Sequence, residues 1–75
     1  MSGTLSVTFT FGTSHHALWV EDMVRERQVP VEVVPAPPQA HGSCGLALRV
    51  AATDAPQVES ACRGEGIAFM RHDGE

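Results

Sequence analysis

The stretch LSVTFTFG, residues 5–12, decides how the fold begins. Its apolar residues at positions 5, 7, 9 and 11 alternate with hydroxyl residues, and this period of two predicts a strand with one buried and one polar face. Gly12 ends the run, and Thr13 or Ser14 can cap a following helix. Apolar residues at spacings of three and four predict that helix over His15–Gln28. A strand followed directly by a helix is therefore the first unit of the fold.

The rest of the chain predicts three more strands and one more helix. Pro30 ends the first helix, and the prolines and glycines of the next connection exclude helix and sheet interior. In order, the predicted elements are an edge strand at Val31–Val34, a surface loop with Pro35, Pro37, Pro38 and Gly42, a strand at Gly45–Ala51, a helix capped by Thr53 or Asp54 and stopped by Gly64 and Gly66, and a strand at Ile67–His72. The last residues are expected to fray.

The order strand, helix, strand, strand, helix, strand predicts an α+β fold of the ferredoxin-like βαββαβ type, with a four-stranded antiparallel sheet and two helices on one of its faces. A chain of 75 residues has room for a single domain, residues 1–75. In this topology three connections meet at one edge of the sheet. They are the turn at residues 12–16, the proline loop with Cys44, and the turn at residues 64–66.

The amino-acid composition and the N-terminal residues limit the kinds of partner that we expect for this chain. Five arginines, no lysine and nine acidic residues give a net charge of −4, so no basic stripe is present for nucleic acid. Residues 1–11 resemble neither a signal peptide nor a membrane span, so we expect a cytoplasmic protein that does not bind membranes. In that compartment both cysteines are expected to be thiols. No Gly-rich phosphate loop or paired carboxylates appear, so no cofactor is predicted.

Cys44 has two interpretations. A thiol on a loop beside a helix N-terminus is stabilised as the thiolate and is nucleophilic. Alternatively, Cys44 is a small apolar residue that closes the core. Cys62 lies on the apolar stripe of the second helix, and there the sequence favours a core role.

His15 and His16 fall in the first turn of the first helix. Adjacent helical residues point about 100° apart, so the two imidazoles do not easily chelate one ion. A site that combines one of them with His41 and Cys44 has no recognisable ligand spacing, and no metal is predicted. One neutral imidazole beside Cys44 would suffice as its base or orienting partner.

A different class of function remains open. Trp19 falls opposite the apolar stripe of its helix, so we expect it to be exposed and available as a contact, unless it covers a strand edge. The predicted outer sheet face, with Ser6, Thr8, Thr10, Ala47 and Arg49, can face solvent or support a homodimer. The alternative function is thus a non-catalytic, dimerising binding or regulatory module.

Three segments resemble one family in order and spacing. They are Phe11-Gly12-Thr13-Ser14-His15-His16-Ala17-Leu18 with Glu21, then Val34-Pro35-Ala36-Pro37, and Ser43-Cys44-Gly45-Leu46-Ala47-Leu48-Arg49. Together they resemble the selenium/sulfur carrier-like proteins over nearly the whole chain.

The resemblance implies a function and a set of site residues. Cys44 would be the carrier thiol that accepts sulfur or selenium as a persulfide-type adduct, and His15, His16 and Arg49 would be the other marked positions. The implied partners are a donor protein such as a cysteine desulfurase and an acceptor protein, which makes the chain a carrier rather than a stand-alone enzyme. Where such proteins carry a basic residue after the loop prolines, this chain has Pro38 and Gln39.

Overall fold

The computed structural model describes residues 5–37 and 45–74. Within these ranges the chain forms an α+β fold of two α-helices and four strands. The elements are β1 at Ser6–Phe11, α1 at Ser14–Glu26, β2 at Glu32–Pro35, β3 at Leu46–Ala51, α2 at Ala55–Glu65 and β4 at Phe69–Gly74, with a 3₁₀ turn at Ala52–Asp54 before α2.

The four strands form one antiparallel sheet in the order β2-β3-β1-β4. In the centre, β1 pairs with β3 through Phe9 opposite Leu48. β4 pairs with the other side of β1, and β2 pairs with the outer side of β3. The prediction that the second strand lies at an edge is confirmed.

Both helices pack on the same face of the sheet. Val7, Phe9 and Phe11 of β1 lie in one apolar cluster with residues of both helices. The helical members are Ala17, Val20 and Val24 from α1 and Ala55, Val58, Ala61 and Cys62 from α2. Phe69 of β4 meets Phe9 edge to face, with 5.6 Å between the ring centroids. The period of two in β1 and the helical spacing in α1 thus meet in a single core.

The first strand is one residue shorter than its sequence pattern suggests. Leu5 precedes β1, and 65% of its surface is exposed although it continues the apolar alternation. Its carbonyl accepts a hydrogen bond from Ala52 N at 2.8 Å, which fixes its backbone beside the end of β3. Alternation determines which side of the sheet a residue faces, but Leu5 lies beyond the part of the sheet on which the helices pack.

The first helix ends before the residue that the sequence indicated. α1 stops at Glu26, with Arg27 as its C-cap, rather than running to Gln28. Gln28 adopts a left-handed conformation with φ of 64°, and Val29 N donates back to Val24 O at 3.0 Å. This is a C-terminal capping turn, which satisfies the last carbonyls before Pro30 is reached.

The second helix ends at a glycine, as predicted, but at only one of the two candidates. Gly64 is still helical, whereas Gly66 is the C-cap with φ of 70°. Ile67 is buried beneath the turn as expected, but β4 starts two residues later, at Phe69, and extends to Gly74. The expected fraying of the terminal residues is therefore wrong up to Gly74, because β1 pairs with β4 over its whole length.

On the face of the sheet away from the helices, the central residues are less exposed to solvent than the sequence suggests. Thr10 and Ala47 face each other there and are 1% and 0% exposed. In the same row across the sheet they are flanked by the larger Val34 and Met70. Thr10 Oγ1 also lies 3.0 Å from His72 Nε2, so this hydroxyl is buried with a partner. We call this surface the outer sheet face.

Within residues 5–37 and 45–74, neither helix has the length and apolar character needed to cross a bilayer.

Candidate functional site

One edge of the sheet gathers the ends of elements that are far apart in sequence. Phe11 at the end of β1 is paired with Phe69 at the start of β4, and Pro35 at the end of β2 is paired with Leu46 at the start of β3. Ala36 N donates to Gly45 O at 3.0 Å just beyond that pair. We call this edge, at which α1 begins and α2 returns to β4, the helix-start edge. The predicted convergence is confirmed for the described ends.

The N-terminus of α1 at this edge is well formed. Thr13 has an extended backbone and its hydroxyl accepts a hydrogen bond from His16 N at 3.1 Å, so Thr13 rather than Ser14 is the cap. Ala17 N donates to Thr13 O at 3.2 Å, which starts the helical ladder. Among the described residues, no acceptor lies against the backbone N–H groups of Ser14 and His15. These two donors and the helix dipole therefore favour an anion at this position.

His15, His16 and Trp19 form one aromatic cluster on the first turns of α1. The ring centroids of the two histidines are 6.0 Å apart, and Trp19 lies 6.1 Å from His15 and 6.3 Å from His16. Trp19 is 39% exposed, as its position opposite the core stripe predicted. His15 is exposed and His16 half-buried, so at least one imidazole is available to an incoming group.

Arg49 lies elsewhere. It alternates with the core residues Leu48 and Val50, so it belongs to the outer sheet face, on the side of the sheet opposite α1. There its guanidinium forms an ion pair with Glu32, its register partner on β2. The structure thus brings His15 and His16 together but leaves Arg49 apart from them. Nothing local in the sequence reveals the strand register that places Glu32 opposite Arg49.

The two cysteines differ in whether the structure describes them. Cys44 lies outside the described residues, as do His41, Pro38 and Gln39. Cys62 is a free thiol with no exposed surface and packs in the core, so its predicted structural role is confirmed. Burial raises the pKa of the Cys62 thiol from 9.0 to about 11, with a smaller push from Glu59 and an opposing effect from Arg63. Cys62 is therefore protonated and shielded, which makes it a poor nucleophile.

Metal-ligating side chains do not converge in the part of the chain that the structure covers. In residues 5–37 and 45–74, no three side chains from His, Cys, Asp and Glu form a group that could hold an ion. Two imidazoles and a helix N-terminus are among the chemical groups that the described residues place at the helix-start edge.

The comparison with family models covers most of the chain. The family described as "Putative Se/S carrier protein-like" matches residues 6–71. The chain belongs to this family. The match covers every helix of the selenium/sulfur carrier-like domain and its first three strands, and it ends within β4. Comparison with curated proteins and with solved structures gave no match.

Proposed function

We propose that this protein carries sulfur or selenium on Cys44, which it receives from a donor protein and passes to an acceptor protein. Membership of the selenium/sulfur carrier-like family over residues 6–71 is the observation that carries the proposal. Cys44 precedes Gly45 in the sequence, and Gly45 lies at the helix-start edge. A thiol that reaches the uncapped N–H groups of Ser14 and His15 would be held as the thiolate.

The proposed loading step is a transfer of sulfane sulfur between two thiols. The Cys44 thiolate attacks the outer sulfur of the donor's cysteine persulfide, and a new S–S bond forms on Cys44. The S–S bond of the donor breaks, and its cysteine leaves as a thiolate that takes up one proton. The step needs no outside oxidant or reductant, because one persulfide and one thiol give one thiol and one persulfide.

In this proposal the histidines and Arg49 have separate tasks. His15 or His16, at the start of α1, acts as base or orienting partner for the Cys44 thiol. Arg49 lies on the outer sheet face, away from the histidines. It therefore acts on the partner protein or on the loop that precedes β3, and not on the histidines. No metal or cofactor enters the step.

The finer description of the fold that we propose is ferredoxin-like. The order β2-β3-β1-β4 supports it, because β3 lies between β1 and β2 and pairs antiparallel with both. This arrangement is the split β-α-β unit, in which α1 connects two strands that are not neighbours. In such a sandwich the outer sheet face stays available for a partner.

Intact mass after incubation with a cysteine desulfurase and L-cysteine tests the proposal. The wild-type protein should gain the mass of one sulfur atom, and Cys44→Ala should gain none. Cys62→Ala is the matched control and should gain the same mass as wild type, since Cys62 is buried. Equal gain by Cys44→Ala, or no gain by wild type, contradicts the proposal. The same incubation with L-selenocysteine in place of L-cysteine tests whether the protein accepts selenium as well as sulfur.

The second candidate function is a non-catalytic module that dimerises through the outer sheet face. The observation that favours it is that both helices pack on the other face, while Val34, Met70 and His72 remain partly or fully exposed. Sedimentation at increasing protein concentration distinguishes the two. A dimer that Met70→Asp dissociates, in a protein whose Cys44 never gains sulfur, would favour the module over the carrier.

A further inference from the structure

The helix α1 carries apolar residues on two opposite sides. Ala17, Val20 and Val24 face the core. At 100° per residue, His15, Leu18, Trp19 and Asp22 centre about 180° away from them, with Glu26 one turn further along. These five residues form what we call the α1 outer stripe. Spacing of i, i+3, i+4 and i+7 on an exposed helix is the pattern with which helices contact partner proteins.

The stripe is apolar at one end and acidic at the other. Leu18 is 49% exposed and Trp19 39%, and a shallow depression open to solvent lies between His15, Leu18, Trp19 and Asp22. Asp22 and Glu26 are exposed and form no ion pair with any described residue, whereas the neighbouring Glu21 is paired with Arg25 at 2.7 Å. Exposed tryptophan beside a concavity is typical of the residues that dominate binding energy.

The α1 outer stripe begins near the edge of the sheet at which we propose that the carrier thiol acts. Trp19 lies five residues beyond the start of α1, which is about 8 Å along the helix from the helix-start edge. The acidic end points away from that edge, along the helix. A protein that covers the N-terminus of α1 and extends along the helix would contact Trp19 and Leu18 first and the two carboxylates next.

We propose that the α1 outer stripe is the docking surface for the sulfur-donor protein, which presents an apolar side chain to Leu18 and Trp19 and a basic group to Asp22 and Glu26. This inference rests on the proposed carrier function, and it adds the surface and the chemistry of the partner. Two free carboxylates on a chain of net charge −4 select a basic contact and speed its approach at low salt.

The test compares two ways of loading sulfur. A cysteine desulfurase with L-cysteine must dock, whereas inorganic polysulfide transfers sulfane sulfur to a thiol without docking. Trp19→Ala should slow loading by the desulfurase about 10- to 30-fold, the usual cost of removing a contact that dominates binding, and leave loading by polysulfide unchanged. Trp19→Phe should restore most of the rate. Asp22→Lys should also slow only the desulfurase reaction, and added salt should slow that reaction in wild type.

The matched control is Leu5→Ser. Leu5 is 65% exposed but lies at the opposite end of β1, about 20 Å from the helix-start edge, so both reactions should proceed at the wild-type rate. If circular dichroism shows that Trp19→Ala does not fold, Leu18→Ser takes its place. Unchanged desulfurase loading by Trp19→Ala, or equal slowing of both reactions, overturns the docking surface. Wild type that polysulfide loads but the desulfurase does not also overturns it, and wild type that neither loads overturns the carrier function itself.

Discussion

Arg49 and Glu32 face each other across β3 and β2 on the outer sheet face, and Arg49 Nε donates to Glu32 Oε1 at 3.2 Å. The two side chains are 46% and 61% exposed. Solvent screens an ion pair of this kind, so its contribution to folding is small. Arg49 is marked by resemblance to the family, and its accessible position lets stability and function be measured separately.

Arg49→Gln should change the free energy of unfolding by less than about 1 kcal/mol, because it breaks only an exposed ion pair. If Arg49 serves the carrier function, the same variant should load or release sulfur more slowly. Urea unfolding and desulfurase loading provide the two measurements. Arg27→Gln is the matched control, since Arg27 is exposed and caps the C-terminal end of α1, away from the candidate site. Equal transfer rates for both variants would show that Arg49 has no part in transfer.

Cys62 should make the protein less stable at alkaline pH. Its pKa is about 11 in the folded chain against 9.0 ordinarily, so the unfolded chain ionises first as the pH rises. The stabilisation is complete below pH 9 and is lost between pH 9 and 11, and it amounts to about 3 kcal/mol at 1.36 kcal/mol per pKa unit. The measurement is urea unfolding at several pH values, compared with Cys62→Ala. Parallel curves for the two proteins above pH 9 would contradict the assignment.

Cys62 should also resist alkylation in the folded protein. At pH 8 a thiol with a pKa of about 11 is roughly 0.1% thiolate, and Cys62 has no exposed surface. In Cys44→Ser, iodoacetamide should therefore add nothing under native conditions and one group in urea, as read by intact mass. Rapid labelling of the native variant would show that α2 opens readily, and sulfur added to the wild-type protein would then need to be mapped by peptide.

The two left-handed residues that end the helices should respond in opposite ways to substitution. Gln28→Gly should raise the free energy of unfolding by about 1 kcal/mol, because glycine adopts the φ of 64° without the steric penalty of a side chain. Gly66→Ala should lower it by a similar amount, since nothing within 4 Å obstructs the added carbon and only the φ of 70° opposes it.

Gly64→Ala is the control for that pair. Gly64 is helical and also has open space around its α-carbon, so alanine there should stabilise α2 by up to about 1 kcal/mol. Urea unfolding of all three variants distinguishes backbone conformation from helix propensity. A gain in stability for Gly66→Ala would contradict the left-handed cap.

Much of the architecture follows from local sequence. Alternation in residues 5–11 predicted the first strand, and helical spacing predicted the apolar face of α1 and the burial of Cys62 on α2. The exposure of Trp19 followed from the same spacing. The errors fall at the ends of elements, where Leu5 is exposed and α1 stops before Gln28. Helix caps, and how much of the sheet the helices cover, determine these positions. Neither produces a periodic pattern in the sequence.

The sequence alone determined which residues are helical or extended and which face of each element is apolar, because these properties depend on neighbours within a few positions along the chain. Only the tertiary structure decided that Arg49 pairs with Glu32, that Thr10 and Ala47 are enclosed on the outer sheet face, and that the histidines and Arg49 lie on opposite sides of the sheet. These relations depend on strand order and register, which contacts between distant parts of the chain select.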